Sequence, residues 1–199
     1  MQPDLLEPNE SLDGYSRVMA RAFVNYPVSV RTFGTDPARQ ENWLYRMAFE
    51  AAEFRRRANH PIPLMRLDGR VIAAANLKLT TLEPPEGADE WFSGFLAEAG
   101  PPAGDFFPRM IARMDHIKFP EPHGYLIMIG VDPDYKGQGV GKALIEYCCQ
   151  LTKEIPYAKG MGLDTQDVQN VAIYERCGFH VVEEISLDDM PIYSMWREF

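Results

Sequence analysis

Three glycines stand two apart at Gly137, Gly139 and Gly141, between Lys136 and Lys142, and an apolar helical pattern comes directly after. A loop this poor in side chains exposes consecutive backbone N–H groups where a helix begins, and the helix dipole adds to them. The chemistry such a site offers is the holding of an anion. Two phosphate motifs fit poorly. A P-loop needs GxxxxGK followed by Ser or Thr; here the spacing is one residue short and Ala143 has no hydroxyl. A dinucleotide fingerprint needs GxGxxG after the first strand of a βαβ unit; here the pattern is GxGxG, late in the chain. A glycine-rich turn that binds nothing is the plain alternative. Further on, Asn170 stands as a helix cap with Tyr174 one turn later, so the two share a face and can address one ligand. Tyr174 as an ordinary core aromatic is the competing reading.

Other chemistry is scarce. Cys148, Cys149 and Cys177 are too few, and odd in number, for a disulfide framework. No CxxC or HxxxH pair offers a metal site, so no metal is expected. Net charge is −9. That speaks against nucleic acid, whose binding needs clustered Lys and Arg, and it is compatible with a cationic small molecule. No apolar run approaches the roughly 20 residues that span a bilayer. The N-terminus, MQPDLLEPNESLDGY, lacks the basic and apolar regions of a signal peptide. These features predict a cytoplasmic protein with no membrane partner.

The elements that must position the loop are legible from periodicity and turn residues. Leu12, Tyr15, Met19, Ala22 and Phe23 recur at helical spacing and predict a helix over 11–24. Pro27 and the stretch 34–37 break the pattern. Asp36 caps a second helix, with Pro37 at its first position, running to about residue 57. The segment IPLMRLDGRVIAAANLKLT is a hairpin turning at Asp68-Gly69. Short helices at 90–99 and 105–118 flank Gly100-Pro101-Pro102. A buried strand covers 124–131. The glycine loop and a helix to about 154 come next, then the short strand GMGLDT. A helix over 170–177 closes at Gly178, and strands at 179–187 and 191–198 end the chain. Hairpins and helix-flanked strands together predict an α/β fold, a mixed and mostly antiparallel sheet with helices on both faces. With 199 residues the chain suits one domain.

The stretch VDPDYKGQGVGKALI resembles the coenzyme A pyrophosphate motif of the GNAT (Gcn5-related) N-acetyltransferase family. That motif is Gln or Arg, two residues, Gly, one residue, then Gly or Ala. Here Lys136, Gly137, Gln138, Gly139, Val140 and Gly141 match it, with Lys136 departing from the usual first position but able to face a phosphate as a point charge. NVAIYERCGF resembles the family's second motif, an Asn opening a short helix and a Tyr one turn later. The likeness is strong across 123–183 and looser upstream. It is closest in motif to the small-molecule branch that includes puromycin N-acetyltransferase-like proteins. It implies a single GNAT domain over 1–199: N-terminal helices, hairpin and acceptor-side insertion in 1–120, and the coenzyme A-binding core in 121–199.

The resemblance also implies a mechanism. Two neighbouring strands, 125–131 and about 161–165, splay and admit acetyl-CoA. Backbone groups of Ile129, Gly130 and Val131 pair with the pantetheine arm and polarise the thioester carbonyl, with Gly130 letting another chain approach closely. The loop from Lys136 to Lys142 holds the pyrophosphate, and Asn170 and Tyr174 complete the cofactor site. The acceptor amine must lose a proton before or during attack; Asp164 and His123 are the candidate bases. A surface-loop role for His123, and a backbone-bracing role for Asp164, are the alternatives. Tyr174 is the candidate proton donor to the leaving thiolate. Tyr26, Phe33, Trp43, Trp91, Phe92, Phe95, Phe106 and Phe107 are expected around the acceptor or in the core. The function implied is N-acetylation of a small-molecule amine. A protein or peptide acceptor, a coenzyme A-binding sensor and a distant GTPase-like reading are the rivals. A homodimer through the C-terminal strand IYSMWREF accords with the family's habit of pairing sheet edges.

Overall fold

The computed structural model describes residues 2–199. Its turns form where local chemistry dictates them. Asp68 and Gly69 both take positive φ, 50° and 78°, and join strands β2 (Pro63–Leu67) and β3 (Arg70–Leu79). Helix α1 is Asp13–Phe23. Helix α3, Pro37–Arg57, starts as the sequence predicts, with the Asp36 side chain accepting the Ala38 N–H at 3.1 Å. Pro27 does not simply break the chain. It is the first residue of a short helix α2, Pro27–Phe33, because proline's fixed φ suits a helix start. The same rule moves the helix expected at 105–118 back to α5, Pro101–Met114, directly after α4, Ala88–Ala99.

Strand β4 is Gly124–Val131, helix α6 Val140–Lys153, strand β5 Gly160–Thr165 and helix α7 Val168–Glu175. Strands β6 (His180–Leu187) and β7 (Met190–Glu198) end the chain. A three-residue strand β1, Pro3–Leu5, pairs with β2; it is too short for its alternation to show in the sequence. All belong to one seven-stranded sheet ordered β1-β2-β3-β4-β5-β7-β6, antiparallel except between β4 and β5. The C-terminal strand β7 lies between β5 and β6, so it has no free edge for a partner; the sheet's edges are β1 and β6.

Helices cover both faces. On one, Leu144, Ile145 and Cys148 of α6 pack on Ile72, Leu77, Leu126 and Leu163. On the other, Leu12, Tyr15 and Met19 of α1 and Ala48 and Ala52 of α3 pack on Leu64, Val71 and Ala74. No helix among the described residues is long and apolar enough to cross a membrane.

Two features of the sheet shape the site. The β4–β5 ladder stops after three pairs, Gly124 with Met161, Tyr125 with Gly162 and Leu126 with Leu163. Beyond them β4 stays with β3 and β5 with β7, so the two strands part. At the parting, Ile127 is an extra residue in β4: Asn76 pairs Met128 while Leu77 pairs Leu126. Gly130 has a packing role beside the one expected of it. A Cβ there would lie 2.9 Å from Ala22 Cβ and 3.1 Å from Met19 Sδ, so the missing side chain lets α1 settle on the sheet. Gly130→Ala is therefore expected to destabilise the fold by about 1–3 kcal/mol through overpacking. Urea unfolding should show a lower midpoint with an unchanged slope; a wild-type midpoint would mean α1 yields freely.

Candidate active site

Strand β4 runs into Asp132, which fixes the start of the next turn. Its Oδ1 accepts the Asp134 N–H at 3.1 Å and begins a 3-10 turn, Pro133–Tyr135. Its Oδ2 takes Arg21 Nη1 at 2.7 Å and Arg70 Nη2 at 2.8 Å. At 1% exposure Asp132 is a buried carboxylate shared by two guanidinium groups from α1 and β3. Local sequence marks Asp132-Pro133-Asp134 as a turn but not as this clasp, since both arginines are distant in the chain.

The glycine loop comes next. Gly137 and Gly139 both have φ 78°, which other residues adopt only with strain. Gly139 caps α6. The Ala143 N–H bonds to Gly139 O at 3.0 Å, so the N–H groups of Val140, Gly141 and Lys142 lie ahead of the helix's own ladder. Val140 buries its side chain in the core and offers only its backbone. Gly141 leaves room against Val131, whose Cγ2 a Cβ would meet at 3.3 Å. Lys136, Gln138 and Lys142 are its neighbours in the chain, and the Gln138 side chain donates to Asp134 O at 3.4 Å. The arrangement can hold a phosphate-type anion.

Helix α7 begins earlier than expected. Asp167, not Asn170, supplies the cap, accepting the Gln169 N–H at 2.9 Å. Asn170 sits in the first turn and donates to Thr165 Oγ1 at 3.3 Å. No residue of α7 is fully buried. Asn170 and Tyr174 nevertheless face one place, a cavity of about 410 Å³ over the parting of β4 and β5.

That cavity is floored by Asn76 of β3, by Tyr125 to Ile129 of β4 and by Asp164 of β5. Helices α1 to α5 wall it. Of the expected aromatics, Tyr26, Phe33, Trp91, Phe92 and Phe107 line it, while Trp43, Phe95 and Phe106 pack behind in the core. Tyr26 has a bracing role the sequence did not reveal. Its hydroxyl accepts the Gln166 N–H at 2.9 Å and lies 3.1 Å from Thr165 Oγ1, which ties the end of β5 to the start of α2.

Asp164 is the one residue of charged type among those lining the cavity. The hydroxyls of Tyr125 and Ser194 both donate to it. Side chains thus hold it, not the backbone bonds of the bracing alternative. Burial pushes its carboxyl up to about 6, with the Ser194 hydrogen bond pulling the other way. A carboxylate of that affinity can take a proton near neutral pH. Tyr174 is also shifted upward by burial, and the nearby Tyr26 and Cys177 add to the shift, so its hydroxyl stays protonated. His123 does not reach the cavity. Its ring packs against Phe119 and Trp196, both at 5.8 Å between centroids, and burial lowers its pKa. Of the two candidate bases, geometry therefore leaves Asp164. Ile129 lines the cavity; Gly130 and Val131 continue the β4 edge beyond the ladder with β5.

The cysteines do not line the cavity. All three are free and buried, and burial raises the thiol pKa, for Cys149 to about 11. Among the described residues, no group of three or more His, Cys, Asp or Glu side chains is placed to hold a metal ion.

Known proteins share this sequence pattern and this fold. The model of the Acetyltransferase (GNAT) family matches residues 28–179. The chain is 30% identical over 109 residues to the peptidyl-lysine N-acetyltransferase YjaB of Salmonella typhimurium; the match covers 51% of this chain and 65% of that protein, so it spans less than two-thirds of the relative's length. The arylalkylamine N-acetyltransferase 2 of Aedes aegypti superposes with a TM-score of 0.72 at 15% identity, covering 99% of this chain and 98% of that one. The polyamine N-acetyltransferase of Drosophila melanogaster superposes with a TM-score of 0.66 at 16% identity, covering 99% of both. At these identities the two structures show a shared fold.

The environment of Asp164 has a cost that can be measured. An Asp carboxyl in an unfolded chain titrates near ~3.9, whereas the folded site binds its proton up to about 6. Between those values the fold holds a proton that the unfolded chain has released. Stability therefore falls as pH rises from about 4 to about 6 and stays lower above, the reverse of an ion-paired Asp. Asp164→Asn, whose amide oxygen accepts one of the two hydroxyls while its NH2 group donates to the oxygen of the other, is expected to exceed wild type in unfolding free energy at pH 8 by roughly 1–3 kcal/mol. The gap should close towards pH 4. An equal or lower stability at pH 8 would show that the carboxylate is solvated or paired in the fold.

Proposed function

The chain belongs to the acetyltransferase (GNAT) family, and from that premise we propose that it transfers the acetyl group of acetyl-CoA to the primary amine of a small molecule with an apolar tail. The observation that carries this reading is the cavity. It is lined by Phe33, Trp91, Phe92, Phe107 and methionines, holds a single carboxylate, and opens over the parted strands. An amine with a hydrophobic body fits such a site. A diamine would leave its second ammonium among these side chains, with no carboxylate lining that end.

Acetyl-CoA supplies the activated acyl carbon and a thiol leaving group. The rest is the work of this chain's residues. The N–H groups of Val140, Gly141 and Lys142, with Lys136 nearby, hold the pyrophosphate; Gly137, Gln138 and Gly139 shape the cradle. The unpaired edge of β4 from Ile127 to Val131 receives the pantetheine amides as an added strand. N–H groups on that edge polarise the carbonyl under attack. Asp164 takes the proton from the amine nitrogen. Tyr174, kept protonated, donates to the departing sulfur, and Asn170 braces the same wall through Thr165. Residues 1–120 bring most of the acceptor wall and residues 121–199 the coenzyme A side.

One observation favours a second reading, a lysine side chain on a protein as acceptor: the 30% identity to a peptidyl-lysine acetyltransferase. Exposed Ile111 and Ile127 at the cavity would then meet the peptide. Thiol release from acetyl-CoA should separate the two when apolar amines and lysine peptides are offered side by side. Release with amines alone supports the small-molecule reading, and release with peptides alone overturns it. With the accepted substrate, Tyr174→Phe is expected to lower kcat by on the order of 10²-fold while acetyl-CoA affinity stays within about threefold. Unchanged turnover would remove Tyr174 as the acid. The wild-type kcat/KM should show an acidic limb near the Asp164 value of about 6, absent from the residual activity of Asp164→Asn.

A further inference from the structure

Strand β3 is apolar from Val71 through Leu77 except at one position, Asn76. Asparagine is disfavoured in strand interiors, and a buried polar atom is normally hydrogen-bonded. Asn76 Oδ1 is buried and has no partner. Four buried side-chain atoms among the described residues share that condition, on Arg55, His60, Asn76 and His123; only Asn76 belongs to a residue lining the cavity.

Its position gives the group a meaning. Asn76 pairs with Met128 of β4, and β4 separates β3 from β5. Adjacent strands lie about 4.8 Å apart, so Asn76 and Asp164 stand at least about 10 Å from each other across the cavity floor. The lining that Asn76 shares includes Met47 and Ala51 of α3, Trp91 of α4 and its strand partner Met128. An acceptor whose amine meets Asp164 and whose tail crosses β4 would reach Asn76.

Resting on the small-amine reading above, we propose that Asn76 is a specificity-determining residue that holds a hydroxyl at the far end of the acceptor amine. A carboxamide suits a hydroxyl, because its oxygen accepts the O–H and its nitrogen donates to the same oxygen. A second ammonium does not suit it, since no carboxylate lines that end. A bare hydrocarbon leaves Oδ1 buried and unpaired, which is how a polar pocket discriminates against analogues lacking the group.

The test uses matched amines that differ only by that hydroxyl, tyramine against phenethylamine and 6-aminohexanol against hexylamine, with thiol release as the readout. Wild type is expected to prefer the hydroxylated member of at least one pair by about 10-fold or more in kcat/KM. Asn76→Ala and Asn76→Val should bring the ratio to within about twofold of unity, mainly by losing rate on the hydroxylated amine, with acetyl-CoA affinity unchanged. Asn76→Asp places a carboxylate at the far end and should shift preference towards 1,6-diaminohexane. It also serves if the apolar variants fail to fold. Equal rates on both members of both pairs in wild type overturn the proposal and leave the small-amine reading intact, as does a preference that survives in Asn76→Ala. Release from none of these amines overturns both together.

Discussion

The β4–β5 ladder ends after three residue pairs, and the working parts of the molecule depend on that interruption. Unpaired backbone groups inside a protein are unfavourable, so a strand edge left open in the middle of a sheet must be met by something else. Three neighbours keep it open. Ile127 is inserted as a bulge on β4 at the point of parting. Beyond Leu163, Asp164 and Thr165 continue along β7 alone. The Tyr26 hydroxyl holds the Gln166 N–H, drawing the chain after β5 towards α2. The gap is thus maintained from both sides before any ligand arrives, and its open edge has the hydrogen-bonding pattern of a missing strand.

The same gap explains why the site is assembled from marginal pieces. Helix α7 has no fully buried residue, and its inner face, Asn170 and Tyr174, looks onto the cavity. Asp164 is kept in a setting that raises its proton affinity and lowers the stability an exposed carboxylate would retain. Against these stands one rigid anchor. Asp132, buried and shared by Arg21 and Arg70, fastens the exit of β4 to α1 and β3. Lys136 and the glycine loop lie one turn beyond it. A loop with two positive-φ glycines would otherwise lose much of its entropy on binding; the clasp orders its entry in advance.

What could be read from the sequence was local. Asp68-Gly69, Asp36-Pro37, the strands at 124–131 and 160–165 and the glycine loop all rest on interactions within a few residues, and the structure has them where they were expected. What stayed hidden in the sequence has two causes: competing local signals, and contacts that exist only in the fold. Pro27 starts a helix because its ring fits the first position, which the break in periodicity concealed. Asp167 outcompetes Asn170 as cap simply by standing earlier in the same turn. Gly130 owes its identity to Ala22 and Met19, which are remote in the chain and adjacent only in the fold. Asp164 acquires its environment from Tyr125 and Ser194, on strands that meet it only in the fold. Composition marked Trp43, Phe95 and Phe106 as equal to Trp91 and Phe107; only packing separates core from lining.

The two substrates of the proposed reaction would pose opposite electrostatic problems, and the fold offers a local answer to each. A chain of net charge −9 repels a multiply charged anion such as coenzyme A at long range. Screening reduces that repulsion beyond about 8 Å at physiological salt. Within that distance the anion would meet the start of α6, where N–H groups ahead of the helix ladder and the helix dipole face out above the buried Val140, between Lys136 and Lys142 in the chain. An amine, in contrast, is drawn by the overall charge but must become neutral before it reacts. The cavity assists by being apolar, which disfavours the ammonium form, and by offering one carboxylate whose own charge is costly there. Had the site carried several acids, it would have held the amine as a cation and opposed the proton loss that attack requires. A single desolvated carboxylate in an aromatic cavity is the composition that the proposed transfer to an amine requires.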